Sequence, residues 1–442
     1  MDAFIINGGR RLSGTIRVNG SKNAALPILA ASLLTDQPVT LSDVPDLADI
    51  SNMLRLLDDL GCQIKRTPAS QDAPDDLTIT ADPKGKSHAK YDIVRTMRAS
   101  ICVLGPLLAK RGEARVSMPG GCAIGDRPVD LHLRGMEALG AQITLESGDI
   151  IARAPSGGRL RGNTVFLGGQ FGPTVLGTAN VMSAATLAEG LTVIENAACE
   201  PEVVDLANLL NAMGAHITGA GSPRVVIEGV KSLKGANHRV MPDRIEAGTL
   251  ILASAITNGQ LTITNCPIDS LLALGDRLER VGIHTRATSE TGPRGERSTV
   301  EVSSERVLKP VQISTHPHPG FPTDLQAQMM ALLCLADGNS VITERIFPER
   351  FMHVAELSRM GAHLFRQGPT VVVSGVRKLV GAPVMASDLR ASASLVLAGL
   401  AAEGQTTIRR VYHLDRGYET LDKRLVALGA DIERINDQAL DA

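Results

Sequence analysis

Hydrophobic and polar positions follow two patterns that recur along the chain. In the first, a helix-spaced apolar run passes through a glycine into an apolar strand, as in LLDDLGCQI (56–64) and MEALGAQIT (136–144). The glycine stands where the end of a helix needs a left-handed residue. It occurs at six positions: Gly61, Gly140, Gly214, Gly282, Gly361 and Gly429. The pattern predicts six similar helix–strand segments.

The second pattern is an Ala/Leu-rich helix, a turn and an alternating strand. It also occurs six times, interleaved with the first, for example in AALPILAASLLTDQPVTLSDV (24–44) and GTLILASAITNGQLTITNC (248–266). Small apolar residues on nearly every face predict helices that are buried all round. The alternation of helices and strands predicts an α/β protein with two domains of three units each. Polar breaks at GSKN (20–23) and HRVMPDR (238–244) are the predicted crossovers between these domains.

Charge and composition exclude some classes of function. The 442 residues carry 45 Lys plus Arg and 47 Asp plus Glu, a net charge of −2, which gives no overall attraction for nucleic acid or an anionic membrane. With 7 Phe, 3 Tyr and no Trp, few side chains could stack on bases. Six scattered cysteines form no C-x-x-C pair, so neither a disulfide framework nor a zinc site is predicted. The absence of a signal-peptide pattern or a bilayer-length apolar run predicts a cytoplasmic protein.

The stretch PGGCAIGDRPVD (119–130) is the strongest candidate for chemistry. Its glycines and prolines predict an exposed loop, which would make the Cys122 thiol accessible to small molecules, and Arg127 would favour an anion beside it. A buried structural cysteine is the alternative for Cys122. It is the preferred interpretation for four others: Cys62, Cys102, Cys266 and Cys334.

Two further stretches carry candidate polar residues. NGSKNAALP (19–27) places Lys22 and Asn23 just ahead of a predicted helix, where an ammonium group and backbone donors could bind phosphate or carboxylate; a solvated lysine is the alternative. HPHPGFPTDLQAQ (316–328) places Asp324 between a Pro/Gly-rich loop and a helix. That carboxylate is either a helix N-cap or a hydrogen-bond acceptor and base in a cleft. No ligand spacing supports a metal site at the neighbouring histidines.

Arginines recur in similarly constrained sequence contexts, and each is either a surface charge or part of an anion clamp. For Arg390, an ion pair with Asp388 is a further alternative. The candidates are Arg98, Arg127, Arg350, Arg390 and Arg416.

Together these stretches resemble the UDP-N-acetylglucosamine 1-carboxyvinyltransferases, a family of enolpyruvyl transferases. The resemblance covers essentially the whole chain and is carried by SKNAALPILAA, PGGCAIGDRPVDLH, PDRIEAGT, PGFPTDLQAQ, ERFMHVAELSRMGA, DLRASASLVLAGL and YHLDRGYE. It implies a two-domain inside-out α/β barrel built from six similar βα repeat units. One domain would be 22–241 with the Cys122 loop, and the other 1–21 plus 242–442 with Asp324.

The resemblance also implies an activity. The enolpyruvyl group of phosphoenolpyruvate would move to the 3-hydroxyl of UDP-N-acetylglucosamine by addition and elimination, with release of phosphate, in the committed step of peptidoglycan synthesis. Small-molecule substrates are implied, without a cofactor, a metal, nucleic acid or a membrane. A related enolpyruvyl transferase acting on another nucleotide or nucleotide sugar is the alternative, because Leu176 and Gly177 differ from the family phrase beside the nucleotide sugar. A non-catalytic protein that keeps the fold is a second alternative.

Site residues follow from the resemblance, motif by motif. Cys122 would protonate the methylene carbon, and Lys22, Arg127 and Arg416 would hold the phosphate and carboxylate. Asp324 would contact the 3-hydroxyl as candidate base. The nucleotide sugar would be bound by Asn23 and Arg98, with Arg127, Pro128, Val129, Asp130 and Leu131 closing around it, a backbone contact from Ile346, and Thr174 in the segment beside it. The residues that match supporting positions of the site are Glu200, Asp243, Arg350, Asp388 and Arg390.

Overall fold

The computed structural model describes residues 2–68, 75–119, 129–156, 158–287, 298–304 and 307–437. These residues divide into two compact units. The Lys22 unit contains the described residues between Gly20 and Met241, and the Asp324 unit contains those of 1–19 and 242–442. Each unit has its own cluster of buried apolar side chains.

The described part of the Lys22 unit contains the helices α1 (Lys22–Ala31), α2 (Ala48–Asp59), α3 (Tyr91–Val94), α4 (Leu104–Arg111), α5 (Asp130–Ala138), α6 (Val175–Ala185) and α7 (Pro201–Ala212). Those of the Asp324 unit are α8 (Arg244–Ile256), α9 (Leu272–Val281), α10 (Gln326–Leu333), α11 (Met352–Arg359), α12 (Leu389–Ala401) and α13 (Leu421–Ala427). Short 3₁₀ helices cover Ser32–Leu34, Arg98–Val103, Ile268–Leu271, Thr323–Leu325 and Val411–Arg416.

The described strands of the Lys22 unit form three four-stranded sheets and a small two-stranded one. The strands of the first sheet are, in spatial order, β16 (Asn237–Arg239), β3 (Val39–Ser42), β5 (Asp76–Ala81) and β4 (Cys62–Thr67). Those of the second are β6 (His88–Ala89), β7 (Glu113–Ser117), β9 (Asp149–Arg153) and β8 (Gln142–Glu146). Those of the third are β10 (Thr164–Phe166), β13 (Leu191–Glu195), β15 (Arg224–Glu228) and β14 (His216–Thr218). The two-stranded sheet pairs β11 (Gly168–Gly169) with β12 (Gly172–Pro173).

The Asp324 unit has three four-stranded sheets among its described residues. In spatial order they are β2 (Ser13–Arg17), β17 (Gln260–Cys266), β19 (Ser298–Ser304) and β18 (Ile283–Ala287); β20 (Gln312–Ser314), β21 (Asn339–Thr343), β23 (Thr370–Ser374) and β22 (His363–Gln367); and β24 (Pro383–Met385), β25 (Gln405–Arg409), β1 (Asp2–Asn7) and β26 (Asp431–Asn436).

All six four-stranded sheets have the same pairing order. The first two strands are parallel, as in β20 and β21, and the next two pairings are antiparallel, as in β21 with β23 and β23 with β22. Each sheet takes its second strand from the Ala/Leu-rich pattern and its fourth from the glycine pattern. The predicted α/β class is therefore confirmed.

Both sequence patterns appear in the fold with the conformations that they predict. The glycines between helix and strand all have positive φ, for example 95° at Gly61 and 100° at Gly429. Every residue of α8 and of α10 is buried, as the small residues on all faces predict. No helix within the described ranges is long and apolar enough to cross a membrane.

Candidate active site

Asp324 lies in a short 3₁₀ turn, Thr323–Leu325, that leads directly into α10. Its side chain is 26% exposed, whereas the two cations that flank it are almost fully buried. Arg350 Nη1 lies 2.8 Å from Asp324 Oδ1, and Arg390 Nη2 lies 3.4 Å from Asp324 Oδ2. The carboxylate is thus bound by two guanidinium groups rather than capping α10, which excludes the N-cap interpretation of the sequence.

The two arginines control the charge of this carboxylate. Burial alone would raise the pKa of Asp324, but the charges of Arg390, Arg350 and Arg244 and the hydrogen bond from Arg350 hold that pKa well below its usual range. Asp324 is therefore ionised throughout the physiological pH range while both arginines remain in place.

Glu344 accepts the hydrogen bonds that hold the Asp324 turn in place. Its carboxylate is fully buried and accepts hydrogen bonds from the hydroxyls of Thr315 and Thr323, at 2.7 and 2.9 Å. It also accepts from the backbone N–H groups of Ile346 and Phe347, at 2.8 and 3.0 Å. The Thr323 hydroxyl in turn accepts from Arg350 Nη1 at 3.0 Å. One carboxylate therefore fixes the Asp324 turn, the backbone at Ile346 and, through Thr323, Arg350.

We expect Glu344→Ala to lower the free energy of unfolding by about 3 kcal/mol, because it leaves several buried donors without their acceptor and creates a cavity. Urea denaturation measures the change. Glu349→Ala is the matched control, since Glu349 makes an exposed ion pair with Arg366 that contributes at most about 1 kcal/mol. Equal stability losses in the two variants would contradict this role of Glu344.

Arg390 reaches Asp324 because α12 begins next to it. Asp388 caps this helix, accepting from the backbone N–H groups of Arg390 and Ala391 at 2.9 and 3.1 Å. The carboxylate of Asp388 thus binds the backbone of Arg390, while the guanidinium of Arg390 binds Asp324. Asp243 caps α8 in the same way, through the N–H groups of Ile245 and Glu246.

Arg416 ends the 3₁₀ helix Val411–Arg416 and is partly buried. Burial and the charges of Arg410 and Arg416 lower the pKa of the His413 imidazole, and the charge of Asp388 opposes this shift.

In the Lys22 unit, the candidate lysine is itself helical. Lys22 and Asn23 are the first two residues of α1, not residues ahead of it, because Ser21 is the N-cap and accepts from the N–H of Ala24. Lys22 Nζ lies 2.6 Å from Oδ2 of Asp49, with the two side chains 10% and 3% exposed. Asp49 lies in the first turn of α2. The solvated-lysine interpretation is therefore wrong.

The other predicted residues of the Lys22 unit occupy the starts of helices. Arg98 begins a 3₁₀ helix and is partly buried, and Asp130 and Leu131 begin α5 directly after the buried Val129. Thr174 is the N-cap of α6, and its hydroxyl oxygen accepts from the N–H of Gly177 at 3.2 Å. Glu200 is buried at the N-cap of α7. Three predicted residues lie outside the described ranges: Cys122, Arg127 and Pro128.

The four cysteines for which the sequence predicts burial are buried in the structure. Cys62, Cys102, Cys266 and Cys334 are buried and free, and burial raises the pKa of each of these thiols to about 12. They are therefore protonated and unreactive in the folded protein.

The sequence analysis missed three residues that contact the candidate site residues: Asp49, Glu344 and Tyr418. The centroid of the Tyr418 ring lies 5.3 Å from the guanidinium carbon of Arg390. Each is buried, and each acts on a neighbour far away in the chain. In the sequence, Asp49 and Glu344 are recognisable only as acidic residues at the start of a helix and at the end of a strand. This position does not identify the residues that they contact.

Comparison with known proteins identifies the family. A sequence model of EPSP synthase (3-phosphoshikimate 1-carboxyvinyltransferase) matches residues 6–425. The UDP-N-acetylglucosamine 1-carboxyvinyltransferase of Akkermansia muciniphila is 51% identical over 99% of both chains, and that of Nitratidesulfovibrio vulgaris strain Hildenborough is 53% identical over 98% of this chain and 99% of its own.

Solved structures of enolpyruvyl transferases are similar to this chain as well. The enolpyruvyl transferase NikO from Streptomyces tendae is 26% identical and covers 98% of both chains with a TM-score of 0.86. EPSP synthase from Acinetobacter baumannii, 19% identical, has the same fold, with a TM-score of 0.77 over 99% of this chain and 100% of its own. The chain belongs to the EPSP synthase family of enolpyruvyl transferases.

Proposed function

We propose that the protein transfers the enolpyruvyl group of phosphoenolpyruvate to the 3-hydroxyl of UDP-N-acetylglucosamine and releases phosphate, as the committed step of peptidoglycan synthesis. The observation that carries the proposal is the identity of 51–53% over nearly the full length to enzymes named for this reaction. The carboxylate of Asp324 between two buried arginines supports it, because the reaction needs a base and fixed cations together.

Asp324 is proposed as the base that takes the proton of the 3-hydroxyl. With Arg350 and Arg390 both bound, its low pKa makes it a weak base. Phosphoenolpyruvate brings a phosphate and a carboxylate, which compete for nearby cations. As a guanidinium turns toward these anions, the pKa of Asp324 rises and the carboxylate becomes more basic.

The cations have a second task. Lys22, Arg127 and Arg416 are proposed to hold the phosphate and carboxylate of phosphoenolpyruvate, because a multiply charged anion requires several fixed donors. Their charge also favours the departure of phosphate. The nucleotide sugar is assigned to Asn23, Arg98, Arg127, Pro128, Val129, Asp130, Leu131, Thr174, Asp324 and Ile346. Arg350 and Arg390 are proposed as further substrate-binding residues in supporting positions of the site.

Cys122 is proposed as the acid. The sugar 3-oxygen bonds to C2 of phosphoenolpyruvate as C3 gains a proton from the thiol, and the 3-hydroxyl proton passes to Asp324. The tetrahedral intermediate then loses phosphate from C2, and the Cys122 thiolate takes a proton back from C3, which regenerates the carbon–carbon double bond and the thiol. Asp324 gives its proton to the departing phosphate. A thiol with an ordinary pKa near 8.5 is mostly protonated at neutral pH and can supply the proton.

We expect Cys122→Ser to lose most activity, by about 10²-fold or more, because a hydroxyl is a far weaker acid than a thiol. Initial rates of phosphate release measure the loss. Cys62→Ala is the control, since Cys62 is buried in the core of the Lys22 unit and should be replaceable with little effect on kcat. Full activity of Cys122→Ser would remove Cys122 from the acid role.

The inside-out α/β barrel of six repeat units, divided into domains 22–241 and 1–21 plus 242–442, is part of this proposal. Six four-stranded sheets with one pairing order, three in each compact unit of the described chain, support it. The proposal includes no cofactor or metal. The cysteines have no spacing typical of disulfides, and the proposed acceptor is a nucleotide sugar. Both points favour a cytoplasmic location.

Isothermal titration tests the choice of acceptor. The proposal predicts that UDP-N-acetylglucosamine binds more tightly than UMP or UDP-glucose, because the N-acetyl sugar would complete the contacts of the site. A protein that preferred UMP or UDP-glucose would instead be the related transferase with another acceptor.

A further inference from the structure

A buried polar group lies next to Arg390 and Asp324 in the Asp324 unit. At its centre is Tyr418, which is 2% exposed. The Tyr418 hydroxyl lies 2.9 Å from Thr249 Oγ1 and 3.1 Å from Gln328 Nε2. Gln328 Nε2 also donates to the backbone carbonyl of Asp324 at 2.9 Å. The group therefore joins α8, α10 and the turn that carries Asp324.

The hydrogen bonds of this group have one consistent direction. The Thr249 hydroxyl donates to the carbonyl of Ile245 at 2.8 Å, so its oxygen accepts from the Tyr418 hydroxyl. The oxygen of Tyr418 then accepts from Gln328 Nε2, which can only donate. Burial raises the pKa of the Tyr418 phenol, which keeps this proton in place. The Tyr418 side chain is consequently held in one position.

Arg390 lies between this side chain and Asp324. Its guanidinium carbon is 5.3 Å from the centroid of the Tyr418 ring, within the range of a cation–π interaction. Its Nη2 remains 3.4 Å from Asp324, whereas Arg350 approaches the same carboxylate to 2.8 Å. Nη1 of Arg390 is buried and has no hydrogen-bond partner among the described residues. Arg390 is thus attracted by the ring and the carboxylate at once, and makes the longer of the two contacts with Asp324.

We propose that Tyr418 is a positioning residue for proton transfer, which holds Arg390 back from Asp324 and so preserves the basicity of that carboxylate. The inference rests on the proposed function, in which Asp324 takes the proton of the acceptor hydroxyl. A closer ion pair would make Asp324 a weaker base. Thr249 and Gln328 contribute by fixing the hydroxyl of Tyr418.

Tyr418→Phe tests this role, because it keeps the ring and removes the hydroxyl that anchors it. We expect kcat to fall about five- to tenfold, which corresponds to a pKa of Asp324 lower by up to about one unit. KM for both substrates should stay within about twofold. The solvent deuterium isotope effect on kcat should increase, since proton transfer becomes slower relative to the other steps. Tyr412→Phe is the matched control, because Tyr412 is an exposed residue and its hydroxyl accepts a hydrogen bond from Arg410.

Gln328→Met provides a second variant, since it removes the donor to Tyr418. If the two residues act through one network, the double variant should lose no more activity than the worse single variant. Unchanged kcat in Tyr418→Phe, or a loss that only follows the amount of folded protein without a change in isotope effect, would overturn the inference alone. No turnover by the wild-type enzyme with UDP-N-acetylglucosamine would overturn the proposed function and this inference together.

Discussion

Replacing Asp324 by Asn should lower kcat by about 10²- to 10⁴-fold, the contribution typical of a general base. An amide has nearly the same shape as a carboxylate and cannot take a proton. Arg350 lies 2.8 Å from the Asp324 carboxylate, and an amide oxygen at this position can still accept its hydrogen bond. The dissociation constant of UDP-N-acetylglucosamine should therefore change by no more than about threefold. Stopped-flow phosphate release and isothermal titration measure the two quantities separately.

Asp337→Asn is the control for this substitution. Asp337 is exposed just before β21, so its replacement should leave both turnover and binding as in the wild type. Normal turnover of Asp324→Asn would remove Asp324 from the role of base. Loss of sugar-nucleotide binding with normal turnover at saturation would instead make it a binding residue.

Replacing Lys22 by Met should have two separable effects. KM for phosphoenolpyruvate should rise about 10- to 100-fold, the loss expected for one charge-assisted contact to an anion. The free energy of unfolding should fall by about 3 kcal/mol, because the substitution leaves the buried Asp49 carboxylate without the ammonium group 2.6 Å away. Steady-state kinetics and urea denaturation measure these changes.

The double variant Lys22→Met/Asp49→Asn separates the two effects. It removes the buried charge as well, so stability should recover most of the loss while KM for phosphoenolpyruvate stays high. Lys86→Met is the matched control, because the Lys86–Asp59 pair is largely exposed at the lysine and should contribute less than about 1 kcal/mol. Recovery of both stability and KM in the double variant would show that Lys22 acts only as the partner of Asp49.

Local periodicity predicts much of this fold. The apolar run that ends at Gly61 and the one that ends at Gly429 each specify a helix, a left-handed residue and a strand within a dozen positions. The Ala-rich sequence of α8 likewise specifies a helix buried on every face. These features depend on neighbours in the chain, so the sequence contains all the information that they need. The start of α1 was predicted too late because Lys22 and Asn23 lack the apolar character used to recognise the helix.

The candidate site is harder to predict, because its contacts join residues far apart in the chain. The motif around Asp324 marks a candidate carboxylate, but an N-cap satisfies the same local pattern. Only the folded chain brings Arg350 and Arg390 to it. The roles of Glu344 and Tyr418 are harder still to predict. The role of a buried carboxylate or phenol can be assigned only when its hydrogen-bond donors and acceptors are known.

Phosphate release from phosphoenolpyruvate, with and without UDP-N-acetylglucosamine, tests the central claim most directly when the product mass is determined in the same reaction. The account predicts release that depends on the sugar nucleotide, together with a product heavier than the acceptor by one carboxyvinyl group in place of hydrogen. Release without the acceptor, or no release with it, would contradict the proposed reaction.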